Sequence, residues 1–91
     1  MEKKLDYQLN YTDEARRLMD NRMILTDDVI AVMDFYRKTG EAVYDSESRL
    51  LIARNRVGNA TFWVKFTCDG ENSYTVYGAY SHRMNVVKRQ G

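Results

Sequence analysis

The chain has 91 residues, 44% hydrophobic and 30% charged, with five glycines and no proline. This is a globular rather than a disordered composition, and at such a length one modest core buries about 60–65% of the unfolded surface. A two-domain enzyme with its own cofactor-binding half is excluded, and a formal charge of +1 gives no bulk drive toward nucleic acid or anionic membrane.

No apolar run approaches the roughly 18 residues that span a bilayer. The opening Met1-Glu2-Lys3-Lys4-Leu5-Asp6 lacks the apolar stretch of a secretory leader. A single cysteine, Cys68, has no partner for an internal disulfide, and with one histidine there is no metal-ligand spacing. The expectation is a cytoplasmic protein with no metal, no cofactor and no membrane attachment.

In chain order, Leu5, Tyr7, Leu9 and Tyr11 alternate with polar residues, the period of a half-buried strand or of a frayed tail. Thr12 is placed to cap a first helix, with Asp13 and Glu14 at its positive end, a stripe of Ala15, Leu18 and Met19, and Asn21 as a stop. Met23, Ile24 and Leu25 read as a connection tucked into the core. A second helix follows, capped by Thr26. Val29, Val32, Met33 and Tyr36 recur at helical spacing, Ile30 and Phe35 widen the stripe, and Gly40 supplies a left-handed stop after Arg37 and Lys38.

Beyond Gly40 the period changes to two. Strands are expected over Ala42–Asp45, Leu50–Val57, Ala60–Cys68 and Ser73–Tyr80. They are separated by Ser46-Glu47-Ser48, by the two-residue hairpin signal Gly58-Asn59, and by a turn over Asp69–Asn72. Met84–Val87 reads as a short edge strand, and residues 88–91 as a basic tail. The fold class is therefore α+β in a single domain spanning 1–91. Two N-terminal helices pack on one face of an antiparallel β-meander of about four strands, with residues 1–11 as a tail or an extra edge strand.

Alternation assigns Ala60, Phe62, Val64, Phe66 and Cys68 to the core face, which makes Cys68 a buried, inert thiol. Thr61, Trp63, Lys65 and Thr67 share the other face. Arg54 and Arg56 also belong outside, because an unpaired buried guanidinium is costly. In Ser73–Tyr80 both faces carry aromatics, so the side taken by Tyr77 and Tyr80 stays open. The outer face then offers Arg54, Arg56, Trp63, Lys65 and one or two tyrosines. Such a surface suits a protein contact, base stacking with phosphate binding, or plain cross-strand pairing.

Tyr80-Ser81-His82-Arg83-Met84 is the densest cluster of chemically capable groups, at the expected end of a strand. Adjacent Ser81 and His82 point to opposite faces of an extended chain and so form no nucleophile–base pair; a turn-stabilising role competes with a functional one. His82 and Arg83 with Arg54, Lys65 and Tyr77 or Tyr80 provide the residue types of a small ribonuclease. RelE-type toxins share this general layout of helices on an antiparallel sheet.

Gly58-Asn59-Ala60-Thr61-Phe62-Trp63-Val64 and Ala79-Tyr80-Ser81-His82-Arg83-Met84, with Lys38-Thr39-Gly40 and Tyr44-Asp45 before them, carry a resemblance. Over roughly Thr26 to Val87 the chain resembles the small C-terminal module appended to some bacterial pyridine-nucleotide-disulfide oxidoreductases of the glutamate synthase small-subunit type. The resemblance implies an accessory domain of a cytoplasmic redox complex that docks to a flavoprotein or an iron–sulfur partner. The chain has no glycine-rich dinucleotide fingerprint and no cysteine cluster, so what carries over is a context and not a cofactor or an activity.

The expected function is a non-catalytic accessory or protein-interaction domain, with a small ribonuclease or RNA-binding domain as the alternative. The partner-binding residues are Arg54, Arg56, Trp63, Lys65, Tyr80, Ser81, His82 and Arg83, and no catalytic residue is assigned. The partner's chemistry follows from the charge split. Residues 1–45 carry 7 basic and 10 acidic groups, a net −3, and residues 46–91 carry 7 and 3, a net +4. A basic sheet calls first for an acidic protein surface, and second for nucleic acid.

Overall fold

The structure is a computed structural model that describes residues 5–83. Its elements are β1 (Gln8–Tyr11), α1 (Asp13–Arg22), α2 (Thr26–Thr39), β2 (Val43–Asp45), β3 (Leu50–Val57), β4 (Ala60–Gly70) and β5 (Ser73–Arg83). The expected strand over Met84–Val87 lies outside the described residues. No described helix is long and apolar enough to cross a membrane.

The sheet runs β1-β5-β4-β3-β2. From β2 to β5 it is the expected antiparallel meander. The N-terminal segment adds a fifth strand: β1 lies against β5 in parallel, Gln8 opposite Ser73 and Tyr11 opposite Val76, so the sheet is mixed. The connection between these two parallel strands runs through both helices and the other three strands, the helices carrying the chain from β1 at one edge of the sheet to β2 at the other.

In α1, the Thr12 hydroxyl accepts a hydrogen bond from the Ala15 N–H at 3.0 Å, as capping demands. The helix runs to Arg22 and ends at Met23, in the left-handed region at φ 57°. The connection departs from expectation. Only Ile24 is buried, while Met23 is 86% and Leu25 65% exposed, because Met23 serves as the C-cap and Leu25 as the N-cap of α2. Thr26 is thus the first residue of α2 rather than its cap, and the N-terminus is held by the Asp28 carboxylate accepting from the Leu25 N–H at 2.9 Å. The far end closes as expected at Gly40, φ 75°.

Val29, Val32 and Met33 of α2 meet Val64 and Phe66 of β4 and Val76 of β5 in a core where none exceeds 1% exposure. Each such side chain contributes about 1.5–3 kcal/mol on burial. Tyr7, Tyr36, Phe66 and Tyr74 extend this core as edge-to-face aromatic pairs with centroids 5.0–6.2 Å apart. Cys68 corrects the expectation of burial. It keeps its place on the helix-facing side of β4, yet lies exposed at the rim, its sulfur 3.8 Å from the Tyr36 hydroxyl.

Two irregularities set which side chains reach which face. Lys65 pairs with Gly78 and Phe66 with Val76, so Tyr77 is an extra, bulged residue in β5. Tyr74 and Val76 face the core before the bulge, and Ala79 does so after it. The parity of the strand switches at Tyr77. A second shift, at Asp69 between Cys68 and Gly70, carries β4 past its expected end; the Asp69 carboxylate accepts from the Thr67 hydroxyl at 2.9 Å and also from Thr75.

Candidate functional site

The face of the sheet away from α2 collects most of the residues expected to bind a partner. Registers place Arg54 of β3 opposite Trp63 of β4, and Trp63 opposite Tyr80 of β5, in one row across three strands. The next row holds Arg56, Thr61 and His82; the row on the other side holds Ile52, Lys65 and Gly78, with Val43 beyond Ile52. The buried Ala53 and Val64 alternate with Arg54 and Trp63, which fixes these rows on the outer face. Arg54 and Arg56 are exposed, whereas Trp63, Lys65 and Tyr80 are half-buried.

Tyr80 is the centre of a cation cluster. The Lys65 ammonium lies 5.4 Å and the Arg22 guanidinium 5.2 Å from its ring centroid, within cation–π range. Gly78 lies beneath the ring. A Cβ on Gly78 would be in ordinary contact with the Tyr80 ring at 3.5 Å and with Leu18 at 3.6 Å, so the ring occupies the space of any side chain larger than alanine. Trp63 adds a tilted contact with His82, centroids 6.4 Å apart.

Beside this row lies an open groove of about 600 Å³ lined by Gly40, Glu41, Ala42, Val43, Ile52, Arg54 and Trp63. A second, of about 410 Å³, shares Glu41 and Arg54 and continues over Phe35, Asn55, Arg56 and Thr61. At the end of the face, the Asp45 carboxylate accepts from the Ser48 hydroxyl at 2.8 Å and the Glu47 N–H at 3.2 Å. These bonds, with the nearby Lys65 charge, hold its pKa below the usual carboxylate range.

The structure places one residue of the set on the opposite side. Ser81 lies opposite Phe62 and belongs to the side that faces α2, so it is not part of the outer face. Arg83 closes β5 opposite Ala60. The segment expected as a strand end followed by a loop is ladder throughout, since β5 continues to Arg83; Ser81 and His82 therefore stabilise no turn there. Tyr77, offered with Tyr80 for the outer face, sits at the bulge outside the Arg54–Trp63–Tyr80 row.

Arg22 was not among the expected site residues, and neither was the groove wall of Gly40, Glu41, Ala42 and Val43. Arg22 reaches Tyr80 because α1 packs along the part of β5 beyond β1, a juxtaposition no local pattern encodes. The only usable signal for the wall is its position just before a short strand at a sheet edge.

Among the described residues no group of three histidine, cysteine, aspartate or glutamate side chains is placed to hold a metal ion. Comparison with known proteins finds no family model, no curated protein and no solved structure that matches the chain. The fold and face define an α+β domain that presents a basic, aromatic antiparallel surface.

Proposed function

We propose that this chain is a non-catalytic protein-interaction domain whose outer sheet face docks onto a partner with an acidic surface. The row Arg54–Trp63–Tyr80, flanked by Arg56, Lys65 and Arg22, carries the reading. Trp, Tyr and Arg are the residues that dominate binding hot spots, and here they adjoin a groove able to take a partner's side chain. The partner class is a cytoplasmic oxidoreductase, a flavoprotein or iron–sulfur subunit. It is supported by the resemblance of Gly58–Val64 and Ala79–Met84 to an accessory module of such enzymes.

The test is affinity purification of the tagged full chain from its own cells beside Trp63→Ala and Arg54→Glu variants. An acidic protein is expected to co-purify, to be released by salt, and to rebind the purified wild-type chain. Loss of Trp63 should weaken this binding by about 2 kcal/mol or roughly 30-fold, the scale of an aromatic hot spot. Equal recovery on all three baits contradicts the proposal.

One observation favours a second reading, RNA binding or cleavage: Arg54, Lys65, Tyr80 and His82 share a face. Against base stacking, the Tyr80 ring is already engaged by two cations. RNA cleavage by the wild-type chain, lost in folded His82→Ala or Arg54→Ala, would establish this second reading in place of the first.

A further inference from the structure

The sheet is left unfinished beside the docking face. β2 pairs with only Leu50, Leu51 and Ile52 of the eight residues of β3. Gly58 alone has positive φ in the two-residue turn that joins β3 to β4, the pattern of a type II′ hairpin, so the closing pair Val57–Ala60 exchanges both backbone hydrogen bonds. Counting back by twos, the N–H and C=O groups of Asn55 and Ala53 also point to β4. Those of Arg56 and Arg54 point the opposite way, to the edge that β2 leaves uncovered. No backbone hydrogen bond from residues 40–42 reaches them among the described residues.

We infer that the edge of β3 at Arg54 and Arg56 accepts an added β-strand from the partner, an extended segment with carboxylates at alternate positions. This rests on the docking reading above and specifies how the partner is held. A strand paired with Arg54 and Arg56 sets two of its own side chains, two residues apart, opposite two guanidiniums on the outer face. Opposite charges in that arrangement stabilise a cross-strand pair, and like charges destabilise it. The intervening side chain falls on the helix side, beside Asn55 and the 36% exposed Phe35 ring, which with Glu41 line the groove of about 410 Å³ that straddles this edge. An acidic–apolar–acidic pattern therefore fits the edge, with main-chain bonds giving affinity and alternate pockets giving specificity.

The same charges oppose a second copy of this chain. Two β3 edges pairing with each other would bring arginines against arginines, the device by which sheets resist self-association. The Arg56 Nε also donates to the Gly58 carbonyl at 3.3 Å, which ties this side chain to the hairpin turn.

The experiment is backbone amide exchange by NMR on the isotope-labelled full chain, with a capped peptide of alternating valine and glutamate as the probe. A peptide N-methylated on its two central glutamates is the control. With the unmodified peptide, exchange at the Arg54 and Arg56 amides should slow by about tenfold or more, while Ala53 and Asn55, already bonded to β4, stay unchanged. The double variant Arg54→Glu, Arg56→Glu should bind about tenfold more weakly or worse. The N-methylated peptide should not bind. If both peptides bind equally and shift the Trp63 and Tyr80 signals without protecting Arg54 and Arg56, the edge proposal is overturned and docking on the face survives. Absence of binding overturns the edge proposal too, and the docking reading is then judged by the partner purification alone.

Discussion

Replacing Arg37 with alanine should loosen the anchor of the N-terminal strand. Its guanidinium donates to the Tyr74 hydroxyl at 2.9 Å and to the Asn72 side-chain carbonyl at 3.2 Å. It also lies over the Tyr7 ring, 4.6 Å from the centroid, while the Tyr7 hydroxyl donates to Asp34 of the same helix at 2.7 Å. Arg37 is an exposed residue, so each hydrogen bond is taken at the low end, about 0.5–1 kcal/mol, because water competes for the same groups. The ring contact adds about 0.5–1 kcal/mol. The Tyr74 hydroxyl accepts in this pair, so no buried donor loses its partner. The expected loss is about 2 kcal/mol, or a fall in Tm of about 8–16 °C for a domain of this size. Urea and thermal unfolding of Arg37→Ala and Arg37→Lys measure it. Lysine keeps the charge but not the fork, and should recover less than half of the loss. A cost for Arg37→Ala below about 0.5 kcal/mol, or full recovery with lysine, would refute the clamp.

Tyr7 also predicts the alkaline limit of the fold. Burial, followed by its hydrogen bond to Asp34, raises its pKa well above the ordinary 10.0, so it stays protonated in the native state while the unfolded chain ionises. Its contribution is complete below pH 10 and is lost above it, at up to about 1.4 kcal/mol per pH unit; in Tyr7→Phe that slope should be shallower by one proton, and an unchanged slope in urea titrations between pH 9 and 11 would contradict the burial argument. Gly58 at φ 64° and Gly70 outside the left-handed region both have open space where a Cβ would stand. Gly58→Ala should therefore cost about 1–2 kcal/mol through backbone strain alone, and Gly70→Ala should be neutral or stabilising by up to about 1 kcal/mol; equal effects would be inconsistent with this. Cys68, exposed at the rim of β4, should react with a thiol reagent in the folded protein without denaturant, whereas a thiol silent until unfolding would restore the expectation of burial.

Where a pattern is local, the sequence was a sufficient guide. The stripe Val29–Val32–Met33, the stop at Gly40, the Gly58-Asn59 hairpin and the outward Arg54 and Arg56 all depend on contacts within one element or between neighbours. Three features depended on something else. Tyr77 and Tyr80 were ambiguous because a bulge resets the alternation within β5, and a strict period of two has no way to register an inserted residue. β1 joins the far edge of the sheet in parallel, a pairing between residues more than sixty positions apart that leaves no trace in either segment. Met23, Leu25 and Cys68 are apolar or weakly polar residues at element ends, where composition suggests burial but the capping geometry or the sheet rim sets exposure.

The site divided along the same line. Arg54, Trp63 and Lys65 were legible as one face because they lie on two adjoining strands of regular register. Ser81 entered the set from its proximity in sequence to His82 and left it on parity. Arg22 joins it only through the packing of α1 along β5, which brings a residue from the acidic half of the chain onto the basic face.

The docking face is tested most directly by the affinity of the purified partner for the wild-type chain and for Trp63→Ala. Trp63 is half-buried on the outer face, so its loss should cost about 1–2 kcal/mol of stability through cross-strand pairing, less than the 3–5 kcal/mol typical of a core aromatic. The variant is expected to stay folded while its Kd rises about 30-fold. A folded Trp63→Ala that binds the partner as tightly as wild type would contradict it.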